Sequence, residues 1–235
     1  MRKVKHIGIV ACSAEGAALC YKTICTEGSQ YLGDDAHPEV SMHTPSLMDY
    51  NEAILVDDWE GVAKLMLRSA HKLAQMGADF LICPDNTIHK ALPKVLESSP
   101  LPWLHIAEIV AAEAARRGYK RLGVTGTKWL VESSVYPEKL RAQNVEYVLP
   151  TRGERETLNQ IIMTELIRGI FKPESTAYFQ SIIQNMAAQG CDAVVLGCTE
   201  IPLIIGDHNC ALPTLDSTRL LARAALQHAV ASKTN

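Results

Sequence analysis

The sequence contains no Cys-x-x-Cys pair, no long apolar run, no excess of basic residues and no long run of one charge sign. Each absence excludes a class of protein. Seven cysteines stand at positions 12, 20, 25, 83, 191, 198 and 210, an odd number without zinc-ligand spacing. Neither a disulfide framework nor a metal site is expected. Cys20, Cys25 and Cys191 read as small buried core residues. The longest apolar runs fall short of the roughly 18 residues a membrane helix requires. The stretch from Ile7 to Val10 is too short for the core of a signal peptide, so a cytoplasmic location without membrane association is expected. With 23 Lys and Arg against 26 Asp and Glu, the net charge is −3, which argues against nucleic acid as a partner.

What is present is ordinary globular composition, 47% hydrophobic and 21% charged. The 235 residues allow one large domain or two small ones, with a core that needs no staples. Short β-branched runs alternate with longer amphipathic stretches. Strands are predicted at His6–Val10, Val40–His43, Phe80–Cys83, Pro102–His105, Arg121–Thr125 and Ala193–Leu196. Helices are predicted near Ala14–Thr26, Asp58–Met76, Asn86–Leu96 with a kink or split at Pro93, Ile106–Arg117, Trp129–Asn144, Glu154–Gly169, Pro173–Gln189 and Ser217–Val230. This alternation predicts an α/β fold with parallel sheets covered on both faces.

Two echoes point to duplication. Gly8 and Gly123 each lie in a short strand, 115 residues apart (123 − 8 = 115), and Cys83 and Cys198 each follow a strand at the same offset (198 − 83 = 115). A Gly-Ala-Asp step (77–79) precedes one of these strands and a Gly-Cys-Asp step (190–192) the other. The fold expected is two similar lobes, each a parallel sheet flanked by helices, with the active site in the cleft between them. The limits expected are 1–105 plus 212–235 for lobe 1 and 106–211 for lobe 2. In open α/β sheets ligands bind beyond the carboxyl ends of the strands, which places the post-strand turns at the site.

Those turns are Cys83-Pro-Asp-Asn-Thr-Ile-His-Lys90 and Gly197-Cys-Thr-Glu-Ile-Pro202. Each sets hydroxyl and ionisable residues between a strand and a helix, where free backbone N–H groups accept a carboxylate. Asp, Asn and Thr are also ordinary helix caps, and a thiol after a strand is ordinary core. Two such turns in one chain favour a site.

The pair resembles the signatures of the cofactor-independent aspartate/glutamate racemases, Cys-Asn-Thr in the first turn and Gly-Cys-Thr-Glu or Gly-Cys-Thr-His in the second. Gly197-Cys-Thr-Glu200 matches in full, and Asn86-Thr87 with His89-Lys90 matches the surroundings of the first. The likeness extends to the Ile7-Gly-Ile9 strand, Gly126-Thr127 and Pro213-Thr-Leu-Asp-Ser-Thr218. The resemblance implies 1,1-proton transfer at the α-carbon of an amino acid, without pyridoxal phosphate, in a homodimer. One residue removes the proton and another delivers one to the opposite face.

Cys198 takes the family's second cysteine position. Aligned on Asn86-Thr87, the first position holds Asp85, with Cys83 two residues earlier as the alternative. A thiol has a reference pKa of about 8.5 and an aspartate about 3.9, so the resemblance implies an asymmetric pair. Asn86, Thr87, Thr127 and Thr199, with Ser13 of the opening loop, are implied as contacts for the zwitterion. Some members grip a distal carboxylate with an Arg after the second strand. Here that place falls to Tyr50, and Lys172 matches a lysine that other members use for the same carboxylate. Cys12 and Glu15 receive no role. His89 either orients Asp85 or caps, and His105 sits at a strand end. Gly123–Lys128 lacks the spacing of a phosphate loop. The expected substrate is aspartate or glutamate. The alternatives are a decarboxylase or cis-trans isomerase acting on a dicarboxylate with this fold, or an amino-acid-binding protein without turnover.

Overall fold

A computed structural model describes residues 4–231. The outermost ends assigned above to lobe 1, residues 1–3 and 232–235, lie outside the described residues. The chain divides into two compact units. Unit 1 runs to Ile106 and resumes at Thr218, and unit 2 covers Ala107–Ser217.

Unit 1 contains β1 (Ile7–Val10), α1 (Ala14–Glu27), α2 (Ser29–Leu32), β2 (Val40–His43), α3 (Leu47–Leu55), α4 (Trp59–Gln75) and β3 (Phe80–Ile82). A 3-10 turn (Thr87–Ala91), α5 (Leu92–Leu96) and β4 (Trp103–Leu104) follow. The strands form a parallel sheet in the order β2-β1-β3-β4. β1 and β3 are buried along their whole length, as expected for central strands covered on both faces. α4 shows how sequence dictates the layer. Asp58 accepts the Gly61 N–H at 2.8 Å to start it, and Val62, Met66, Ala70 and Leu73 bury one face. Gly77, at φ +90°, turns the chain out of the helix and into β3.

Unit 2 repeats the plan, preceded by α6 (Ile106–Arg116), which starts on the last residue of unit 1. It has β5 (Arg121–Thr125), α7 (Lys128–Val131), α8 (Val135–Ala142), β6 (Glu146–Val148) and α9 (Arg152–Thr164). A 3-10 turn (Leu166–Arg168), α10 (Pro173–Ala188), β7 (Ala193–Leu196), a 3-10 turn (Ile201–Leu203) and β8 (Thr214–Asp216) complete it. Its sheet is parallel in the order β6-β5-β7-β8. The last helix, α11 (Ser217–Val230), packs in unit 1.

The closing helices are therefore exchanged. α6 follows β4 but belongs to unit 2, where Glu108 pairs with Lys139 at 3.3 Å. α11 follows β8 but belongs to unit 1. There the Ala229 carbonyl accepts the Lys5 N–H at 3.0 Å, and Arg223 makes two 2.8 Å bonds to Glu27. Residues 212–217, expected in lobe 1, lie in unit 2 because β8 pairs with β7 there. Ile106, expected in lobe 2, lies in unit 1.

Register corrects the expected repeat. Gly8 pairs with Leu81, and Gly123 pairs with Val194. The first strands are offset by 115 residues (123 − 8), but the strands beside them by 113 (194 − 81). Independent features agree. Asp79 accepts the N–H of His6, and Asp192 accepts those of Lys120 and Arg121. Leu73 O caps through the Ala78 N–H and Met186 O through the Cys191 N–H, each at 3.1 Å. A side chain on Gly8 would press on Leu73 and Leu81, and one on Gly123 would collide with Met186. Carried past the strand end, the offset of 113 makes Asp85 the counterpart of Cys198 (198 − 85 = 113). Cys83 corresponds instead to Leu196.

Candidate active site

In a parallel sheet all strands point one way, so the turns after adjacent strands lie side by side. In unit 1 these turns follow β1 and β3, and in unit 2 they follow β5 and β7.

The first turn of unit 1 begins at Ser13, whose hydroxyl accepts the Gly16 N–H at 3.4 Å and caps α1. The second carries Cys83, Asp85, Asn86 and Thr87. Asp85 Oδ1 accepts the Ile88 N–H at 3.0 Å, which fixes the carboxylate against the start of the 3-10 turn. The Asp85 carbonyl accepts from His89 Nδ1 at 2.6 Å. Asn86 and Thr87 are buried, and the Asn86 carbonyl accepts the His89 N–H at 3.3 Å. Cys83 is fully buried, and its thiol points at the Asp85 carbonyl, 3.9 Å away. Burial, reinforced by the charge of Asp85, pushes that thiol well above the usual range. Cys83 is thus held as a neutral thiol.

Tyr50 lies in α3, a helix that begins at the Ser46 cap. Its ring is fully buried, and its hydroxyl has no hydrogen-bond partner among the described residues. Burial raises the Tyr50 phenol most, and its acidic neighbours Cys12, Cys83 and Asp85 raise it further. Tyr50 therefore stands within electrostatic reach of the Asp85 turn. Glu15 is exposed in the first turn of α1.

In unit 2 the turn after β5 places Thr127 as the cap of α7, its hydroxyl accepting the Leu130 N–H at 3.3 Å. The turn after β7 begins at Gly197, whose N–H bonds the Thr125 carbonyl at 3.0 Å. Any Cβ at 197 would collide with that carbonyl oxygen, which explains the glycine before the cysteine. Cys198 Sγ donates to Glu200 Oε2 at 2.9 Å, and Thr199 Oγ1 donates to the same oxygen at 3.0 Å. All three residues are buried, and Glu200 Oε1 has no hydrogen-bond partner among the described residues. The role of Glu200 in holding the thiol was missed from sequence. The clue was its spacing of two from Cys198 within a strand-to-helix turn.

Lys172 lies elsewhere in unit 2, at the start of α10. Half-exposed, it pairs with Glu165 Oε1 at 3.1 Å. Ser175 at 2.6 Å, together with Lys172, holds Glu165 below the usual carboxylate range. Each unit thus brings a hydroxyl-capped turn beside a turn with an ionisable group, Asp85 in one and Cys198 in the other. Among the described residues no group of three or more His, Cys, Asp or Glu side chains is placed to hold a metal, and no helix is long and apolar enough to cross a membrane.

The chain is similar to several known proteins. The broad specificity amino-acid racemase RacX of Bacillus subtilis (strain 168) is 25% identical over 172 residues, covering 72% of this chain and 73% of that protein. A Yersinia pestis crystal structure assigned as an Asp/Glu racemase superposes with a TM-score of 0.88 at 28% identity, covering 97% of this chain and all of the other. An aspartate racemase homologue from Pyrococcus horikoshii OT3 superposes with a TM-score of 0.82 at 27% identity, with the same coverage. A sequence model of the Asp/Glu/Hydantoin racemase family matches residues 9–225. Racemases are isomerases, and on this match the chain belongs to the Asp/Glu/Hydantoin racemase family.

Proposed function

We propose that the protein racemises amino acids by 1,1-proton transfer without pyridoxal phosphate, with Asp85 and Cys198 as the two proton carriers. The observation that carries this reading is register. Asp85 and Cys198 hold the same position in two copies of one turn. A duplicated fold that sets one proton carrier in each copy suits a reaction needing two, one for each face of the α-carbon. Cys83 is the weaker candidate, since its thiol is fully buried and directed at a backbone carbonyl.

The pair is chemically unequal. By reference values, aspartate is ionised at neutral pH and a thiol is protonated. At rest Asp85 serves as base and Cys198 as acid. After one turnover the protons are reversed, and the enzyme must exchange them with solvent before repeating. A carboxylate is a weaker base than a thiolate by about 6 kcal/mol on the reference scale. The carbanion must therefore be stabilised by donors aimed at the substrate carboxylate. Asn86, Thr87, Thr199, Ser13 and Thr127 have the hydroxyl, amide and backbone groups for this and for the amino group.

Aspartate and glutamate are the first substrates to test, with Lys172 as contact for the distal carboxylate. A wider range is the second reading. It is favoured by the uncharged Tyr50 and by the alignment with a broad-specificity racemase. A homodimer in the cytoplasm is part of the proposal, and light scattering tests the assembly.

The deciding experiment is α-proton exchange in D2O, followed by NMR from each pure enantiomer of aspartate and glutamate, then of neutral and basic amino acids. Exchange with inversion supports the proposal. Absence of exchange with every amino acid overturns it.

A further inference from the structure

We propose that His89 is the positioning residue for Asp85, acting through the Asp85 backbone as a single neutral tautomer. This rests on the reading of Asp85 as a proton carrier.

His89 is almost fully buried, and both ring nitrogens are engaged. Nδ1 lies 2.6 Å from the Asp85 carbonyl, which can only accept, so Nδ1 carries the proton. Nε2 lies 3.3 Å from the Ile106 amide nitrogen, whose N–H can only donate, so Nε2 is bare. These partners fix one tautomer and tie the Asp85 turn to the last residue of unit 1. The His105 ring packs at 4.8 Å and limits rotation of the imidazole.

The sister turn shows why a histidine is used. In unit 2 the Cys198 carbonyl accepts the Ile201 N–H at 3.1 Å. The register counterpart of Ile201 is Ile88 (201 − 88 = 113), whose N–H goes to the Asp85 carboxylate at 3.0 Å. With that amide drawn to the side chain, the Asp85 carbonyl is met by His89 Nδ1–H. The counterpart of His89 is Pro202 (202 − 89 = 113), so the turn itself forms without an imidazole. The histidine takes up the Asp85 carbonyl left by that amide and so sets where the carboxylate stands.

The test compares His89→Asn, His89→Gln and His89→Phe with Asp85→Asn in the full-length protein. Asparagine can place an N–H near the Nδ1 position, glutamine reaches toward Nε2, and phenylalanine retains only ring volume. α-Proton exchange from L- and D-glutamate and L- and D-aspartate in D2O is measured separately, because each enantiomer is deprotonated by one carrier. Asp85→Asn identifies the enantiomer served by Asp85. For that enantiomer, loss of the buried hydrogen bond lowers exchange about tenfold in His89→Phe and His89→Gln. His89→Asn restores it to within about threefold of the wild type. In-place exchange of the other enantiomer, served by Cys198, stays near wild type. Equal loss of in-place exchange for both enantiomers, or full activity in His89→Phe, overturns the inference. If Asp85→Asn leaves both enantiomers unchanged, it is the reading of Asp85 that fails. The 15N resonances of the His89 ring give a readout free of substrate. A protonated Nδ1 and bare Nε2 are expected, and the opposite tautomer overturns the inference whatever the kinetics show.

Discussion

Cys198 Sγ donates to Glu200 Oε2 at 2.9 Å, so the thiol proton points at a buried carboxylate whose other oxygen is unpaired among the described residues. A negative charge beside a thiol disfavours the thiolate. We expect Glu200→Gln to increase the thiolate fraction at Cys198. Alkylation by iodoacetamide at neutral pH, mapped by mass spectrometry, should then be several times faster at Cys198. Conversion should fall, because the amide no longer orients the thiol as before. An unchanged alkylation rate would show that the carboxylate does not control the thiol.

Asp85→Cys tests the inequality of the two carriers. The two enantiomers of glutamate have equal free energies, so kcat/KM must be equal in both directions. The asymmetry can therefore appear only in kcat and KM separately. We expect wild-type kcat to differ between L- and D-glutamate, and the two values to converge when both carriers are thiols. Circular dichroism from each pure enantiomer measures this. Equal kcat values in the wild type would remove the basis for an asymmetric pair.

Lys172→Ala separates the two substrate readings. Loss of a contact to the distal carboxylate should raise KM for aspartate and glutamate and leave that for alanine and serine unchanged. Because Lys172 already pairs with Glu165, a uniform KM across all four would assign the lysine to that pair and favour the wider range.

Gly197→Ala should destabilise the fold by about 1–3 kcal/mol, because the added methyl meets both the Thr125 carbonyl oxygen and Leu130 Cδ2. Urea unfolding with an unchanged m-value measures the loss. Wild-type stability for this variant would mean that the β7 turn has room it is not seen to have.

Glu113 supplies a pH signature independent of catalysis. Arg116, then Arg117, hold its carboxyl at about 2, against the desolvation that would raise it. A carboxyl depressed on folding contributes stability above its unfolded value of about 4.3, and this is lost as the pH falls toward the folded value. Wild type should therefore lose more Tm than Glu113→Gln between about pH 5 and pH 2. Parallel Tm curves would contradict it.

The sheets were legible because their central strands are continuous apolar runs. Phe80–Ile82 and Ala193–Leu196 lie wholly in the core. The strands β6 and β8 left no such trace. β6 exposes Glu146 and Tyr147 and buries only Val148, and β8 buries only Leu215. The helix expected over Trp129–Asn144 breaks at 132–134, where Ser133 takes the Leu130 carbonyl. The Asn86–Leu96 stretch is split rather than kinked, into a 3-10 turn and α5, with Pro93 in the first turn of α5, where its missing N–H costs nothing. Cys25, expected in the core, is partly exposed. The turn motifs pointed to the candidate residues, but matching cysteine to cysteine misplaced their equivalence. Hydrogen-bond register shows that the second copy is two residues shorter ahead of β7 than the first is ahead of β3, an offset the Gly77–Asp79 and Gly190–Asp192 steps already carried.

The exchange of closing helices governs how the chain can be divided. A gene split after Ile106 yields one polypeptide without the helix that contributes Leu221, Ala222, Ala225 and Leu226 to the core, and another that carries this helix without its sheet. The first half should be insoluble alone and recover when co-expressed with the second, which lends it the closing helix.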